Sequence, residues 1–171
     1  FGAGDVKFAD NGDKEINKAD MQVIGDPNPD IYGNIFTSLS YKRIRLDVNF
    51  NYSLGNDAYN YLRSQLESGN RFMNQSVAMV NRWSYEGQVT DMPTVMWEDP
   101  MGNARFSDRW IEDASYLRLK SITLSYELPL NSTFIHGLTF WGQANNVFTV
   151  SKYLGADPDF SMSNSVLEQG I

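Results

Sequence analysis

The sequence predicts an all-β fold, part of a large antiparallel β-barrel of the transmembrane kind, and three observations lead there. From Arg43 to Leu54 the chain alternates without a break. Ile44, Leu46, Val48, Phe50, Tyr52 and Leu54 are apolar, whereas Arg43, Arg45, Asp47, Asn49, Asn51 and Ser53 are polar or charged. A period of two marks a strand with one apolar and one polar face. The run is also long, since globular strands average roughly 5 to 6 residues and a tilted strand crossing a bilayer needs about 9 to 11. Finally, short and long connections follow one another, as in outer-membrane barrels with short periplasmic turns and long extracellular loops. Alternation by itself leaves a half-buried strand of a soluble sandwich equally open.

The elements follow in order. Upstream, Ile31, Gly33, Ile35, Thr37, Leu39 and Tyr41 hold the less polar parity and Asn34, Ser38, Ser40 and Lys42 the other, a weaker strand paired through a tight turn at Lys42 and Arg43. After Leu54 comes a long connection with structure of its own. Asn56 or Asp57 is the expected cap of a helix with Ala58, Tyr61, Leu62 and Leu66 on one side, ending near Gly69; Met73, Val77 and Val80 suggest a second helix. An ordered loop of this kind points to a ligand or partner. In SYLRLKSITLSYELP the apolar parity changes between Leu117, Leu119 and Ile122, Leu124, Tyr126, Leu128, so a β-bulge is expected near Lys120 and Ser121, with Pro129 ending the strand. The fourth strand, LTFWGQANNVFTV, sets Leu138, Phe140, Gly142, Ala144, Phe148 and Val150 against Thr139, Gln143, Asn145 and Thr149; Trp141 and Val147 break its pattern.

Composition narrows the function classes. A formal net charge of −7 and scattered Lys and Arg argue against nucleic acid, which needs a basic patch. With no cysteine, disulfides, thiolate catalysis and cysteine-held metal centres are excluded together. No apolar run is long enough for a membrane helix, which leaves barrel strands untouched, because half their residues are polar. The chain opens at Phe1 without an initiator methionine or leader, so it is expected to be a segment of a longer protein.

Several segments carry a resemblance. They are GDVKFADNGDKEINKADMQVIGDPNPDIYG, the strand pair after it, GNDAYN, NRW followed by Pro93, FSDRWIEDASYLRLKSITLSYELP, and GQANNVFTVSKYLGADPDF. Ser107, Asp108 and Arg109 leading into Ile111, Glu112 and Asp113, and the late Gln143, Asn145, Asn146, Phe148 and Tyr153, are the most specific. Nearly the whole chain resembles the C-terminal part of SusC/RagA family TonB-dependent outer-membrane transporters. The resemblance implies a barrel of roughly 22 strands with a plugged lumen, in the outer membrane of a Gram-negative bacterium. It implies import of oligosaccharide or peptide fragments, TonB acting through an N-terminal part, and a SusD-like surface lipoprotein over the mouth. Residues 1–171 would then be late strands and loops, with the plug domain and the closing strand outside them. A soluble β-sandwich carbohydrate-binding module is the alternative.

On the barrel reading, Ile44 to Leu54 of even parity face lipid and Arg43, Arg45, Asp47, Asn49 and Asn51 face a wet lumen, with Tyr41 and Tyr52 near the two interfaces. Trp83, Tyr85, Trp97 and Trp110 are candidates for ligand or partner contact, although packing of the loop explains aromatics as well. The stretch DNGDKEINKAD resembles a degenerate calcium loop: Asn11, Asp13, Asn17 and Asp20 fall at its third, fifth, ninth and twelfth positions. Ala9 at the first position has no side-chain oxygen and Lys14 stands where the turn wants Gly, which favours a metal-free polar turn and no cofactor. Catalysis is not expected. His136, the only histidine, lies in a predicted turn, and the adjacent Glu112 and Asp113 point to opposite faces of an extended chain.

Overall fold

The structure is a computed structural model and describes residues 2–130, 134 and 137–159. Its main element is one antiparallel sheet of four long strands, β1 (Ile31–Tyr41), β2 (Ile44–Leu54), β5 (Tyr116–Pro129) and β6 (Gly137–Ser151), in the order β1-β2-β5-β6. Between β2 and β5 lie β3 (Asp57–Tyr59), helix α1 (Tyr61–Leu66) and β4 (Ile111–Asp113), with β3 and β4 forming a two-stranded ribbon. No helix among the described residues is long and apolar enough to cross a membrane.

Register shows why the alternation matters. Leu46 of β2 lies opposite Leu39 of β1 and Leu124 of β5, and Leu124 opposite Gly142 of β6; Phe50 likewise lies between Ile35 and Leu119, and Leu119 opposite Phe148. Residues paired across strands share a face, so the four apolar parities merge into one surface and the polar parities into the other. Gly33 faces Tyr52, and a β-carbon there would press on the tyrosine ring, so the glycine lets the ring lie across the neighbouring strand.

The expected bulge is present. Asn49 pairs with Ser121 and the next residue, Phe50, pairs with Leu119, so Lys120 is the extra residue of β5. Towards β6, Ser121 pairs with Asn145 and Leu119 with Phe148, leaving Asn146 and Val147 opposite Lys120. Asn146 takes a left-handed φ of 49°, a conformation Asn tolerates. Val147 thus breaks the alternation because it belongs to the bulge and not to the regular ladder.

Three expectations are corrected. Arg43 lies in the two-residue turn with Lys42 rather than on the polar face of β2, and its carbonyl accepts a hydrogen bond from the Glu127 amide. The helix begins later than expected: Asn60 is its cap, accepting from the Arg63 amide at 2.9 Å, and it ends at Leu66 rather than near Gly69. Asn56 is occupied elsewhere, its side chain accepting from the Ser53 hydroxyl and its carbonyl from the Ala114 amide. The second expected helix is a single 3-10 turn, Val77–Asn81, capped by Ser76. His136 lies outside the described residues.

The described residues divide into two compact units. One, Pro27–Asp57 with Asp113–Tyr153, is the four-stranded sheet; the other comprises Phe1–Asp26, Ala58–Glu112 and the described residues from Leu154 onward.

Candidate functional site

The sheet unit has two chemically opposite surfaces. On the apolar face large side chains stay uncovered: Ile35 is 54% and Leu39 60% exposed, and Ile31, Ile44, Leu124, Phe140 and Val150 are exposed as well. A sandwich would bury these residues under a second sheet. On the polar face the side chains bind one another. Asn34 Nδ2 donates to Asn49 Oδ1 at 2.5 Å and to Asn51 Oδ1 at 2.6 Å, and Gln143 Nε2 donates to Asn145 Oδ1 at 2.8 Å. Arg45 Nε sits 2.9 Å from Asp47 Oδ1. Of the five residues expected to line a lumen, Arg45, Asp47, Asn49 and Asn51 therefore share one face, and Arg43 is in the turn.

The loop unit is organised by Trp110. This residue is fully enclosed (0% exposed), its indole Nε1 donating to the Arg105 carbonyl at 3.0 Å. The guanidinium of Arg109 lies 4.4 Å from its ring centroid and that of Arg63 5.8 Å, an arrangement in which the ring quadrupole attracts cations. Arg63 binds Glu67 at 2.9 Å, Glu112 at 2.8 Å and the Arg109 carbonyl at 3.2 Å. Glu112 also accepts from Asn60 Nδ2 and from the Leu154 amide. Burial by itself would push the Arg63 guanidinium down, but Glu112 and Glu67 outweigh it and hold its pKa above the ordinary value. Arg109 goes the other way, lowered by burial and then by the neighbouring charge of Arg63.

Trp110, expected among the contact-making aromatics, is thus a packing residue here, and this is a correction with a clear cause: a wholly enclosed ring offers no surface. Trp83 is half-buried over Gly4, whose φ of 88° and missing β-carbon leave room for the ring. Tyr85 (66%) and Trp97 (55%) are open to solvent. Trp97 packs against Phe72 with centroids 4.6 Å apart, a partner the sequence did not single out. Glu112 and Asp113 have separate duties, Glu112 on Arg63 and Asn60, Asp113 on the Ser115 amide. The Ser115 hydroxyl and amide lower the Asp113 pKa.

The acidic loop closes on itself. Carboxylates of Asp10, Asp13 and Asp20 come within 4.8 Å of one another, so Asp10 takes the place expected for Asn11. Asn11 and Asn17 accept hydrogen bonds from the Asp13 and Ala19 amides instead. Asp20 accepts from the Asn17 and Asn11 amides, which lower its pKa in that order. The three carboxylates are oxygen donors of the calcium type, but calcium takes about 6 to 8 oxygens, and Lys14 brings a cation at a left-handed φ of 67°. The residues fall short of a complete calcium loop.

No known family profile matches the chain. It is 34% identical over 165 residues to the TonB-dependent receptor P3 of Formosa agariphila, covering 94% of this chain and 16% of that protein. It is 28% identical over 161 residues to the TonB-dependent receptor SusC of Bacteroides thetaiotaomicron, covering 87% of the chain and 15% of that protein. Among solved structures, the RagAB peptide transporter aligns with a TM-score of 0.68 at 32% identity, over 77% of this chain and 14% of that one. The chain therefore spans about a sixth of the length of the curated relatives it matches.

Proposed function

The chain belongs to the SusC/RagA family of TonB-dependent receptors, and from that premise we propose that its sheet is a stretch of barrel wall in an outer-membrane nutrient importer of a Gram-negative bacterium. The observation that carries this is the sheet itself: an apolar face left open across four strands, backed by a polar face hydrogen-bonded within itself. The apolar face meets lipid, and Arg45, Asp47, Asn49 and Asn51 line the wet interior. Oligosaccharide or peptide fragments are the proposed cargo, moved by energy delivered through TonB to an N-terminal part beyond these residues. The loop unit, on the long-connection side, faces a SusD-like surface lipoprotein. Tyr85 and the Trp97–Phe72 pair are its exposed aromatics for ligand or partner contact.

The test is a pair of neighbouring lysines in the intact receptor. Val48→Lys puts a charge on the lipid face near mid-strand and is expected to cost about 2 to 4 kcal/mol, whereas Asn49→Lys on the lumen face is nearly neutral. Assembly is read as heat-modifiable mobility of the barrel in outer-membrane fractions. Equal yield of folded barrel from both variants overturns the assignment of faces.

A further inference from the structure

The β1–β2 turn carries two adjacent cations at the edge of the open apolar face. Lys42 and Arg43 occupy the two turn positions, and Lys42 is held at a left-handed φ of 54°. That conformation is strained for a lysine and suits Gly or Asn, so the turn geometry alone gives no reason for this residue. Its ammonium instead reaches over the Tyr41 ring, 5.3 Å from the centroid. Together Tyr41, Lys42, Arg43, Ile44 and Tyr126 line an open recess of ≈ 580 Å³, within the range of about 300 to 1,000 Å³ usual for small-molecule sites.

The recess joins two chemistries. Tyr41, Ile44 and Tyr126 lie on the apolar parity, Ile44 directly between the two tyrosines in the register. Glu127, the nearest carboxylate along β5, belongs to the opposite parity, and among the described residues neither Lys42 nor Arg43 forms an ion pair with a carboxylate. Tyrosines at the rim of an apolar band belong at the level of lipid headgroups. At that level a guanidinium and an ammonium complement a phosphodiester, Arg through a forked pair of hydrogen bonds and Lys as a mobile point charge.

We propose that the Lys42–Arg43 turn binds the phosphate of a membrane phospholipid, with its acyl chains running along the apolar face from Tyr41 and Tyr126. This rests on the barrel-wall reading above. Short turns of such barrels are periplasmic, so the lipid belongs to the inner leaflet. On the opposite face the Arg45 guanidinium is already held by the Asp47 carboxylate at 2.9 Å, a partner that a phosphate would have to displace.

The experiment uses the intact receptor in nanodiscs containing phosphatidylglycerol, transferred to detergent and weighed by native mass spectrometry to count retained lipid. The Lys42→Gln/Arg43→Gln variant is expected to retain at least about fivefold less phosphatidylglycerol than the parent, and Lys120→Gln, which removes one positive charge at the bulge, as much as the parent. Lys42→Gly separates the role of the charge from that of the turn: it relieves the left-handed lysine, so the barrel melts no lower while lipid retention falls. Retention unchanged in Lys42→Gln/Arg43→Gln overturns the proposal, as does an equal loss in Lys120→Gln. Displacement by millimolar glycerol phosphate also overturns it, since the site would then take a soluble phosphate. Failure of the receptor to show heat-modifiable mobility at all counts against the barrel-wall reading instead.

Discussion

Asn60 is 1% exposed and all of its side chain is in use, the carbonyl oxygen on the Arg63 amide and the amide nitrogen on Glu112. Asn60→Ala removes a helix cap and leaves buried charge less satisfied, so a loss of about 1 to 3 kcal/mol is expected, measured by denaturant titration with hydrogen exchange at α1. Trp110→Ala opens a larger void and should cost about 3 to 5 kcal/mol by the same measurement. Lys14→Gly replaces a left-handed lysine at the turn of the acidic loop and removes its charge from beside three carboxylates. Calcium binding, not expected of the parent loop, should become detectable by isothermal titration in this variant, because charge count tunes such sites. The Asp20 carboxyl titrates below its ordinary value, so its contribution to the loop is full above the unfolded-state pKa and is lost as pH falls through the folded one. Amides of Asn11 and Asn17 should therefore lose protection only as pH falls below the ordinary aspartate range. The sequence was least legible at this scale. Nothing in a composition separates an enclosed Trp110 from an open Trp97, and counting the loop from Ala9 left Asp10 out of the expected ligands.

Lys120 sets the phase of β5. Upstream of it odd residues are apolar and downstream even ones are, yet all meet the same face of β2, because one residue is left out of the ladder. Deleting Lys120 sets Leu119 next to Ser121, so that Leu117, Leu119, Ile122, Leu124 and Tyr126 alternate without a break on one face and stay in register with β2. The Lys120 deletion is expected to leave folded barrel near parental yield on heat-modifiability gels, whereas deleting Thr123, inside the regular ladder, turns Leu124 and Tyr126 to the polar face and is expected to abolish it. Strands and bulge were legible because parity is a local property that every residue reports. The start of α1 was not, because Asn56, Asp57 and Asn60 are all adequate caps. The choice among them was made by Glu112, 52 residues from Asn60, and by Ser53, which already occupies Asn56.

At the scale of the whole chain, the sheet ends among the described residues in two outer strands, β1 and β6, each paired on one side, beside a broad apolar face. Such edges and such a face promote association in water. The 171-residue chain is expected to aggregate in buffer and to show strand circular dichroism only in detergent micelles; a monomer melting cooperatively in plain buffer would contradict this. The opposite face has a different consequence. Its linked side chains, Asn34 with Asn49 and Asn51, and Gln143 with Asn145, are amides that neither gain nor lose a proton. The one histidine of the chain, His136, lies outside the described residues. Across the range where imidazoles switch, this amide tract keeps one neutral character, indifferent to the acidity of the surroundings.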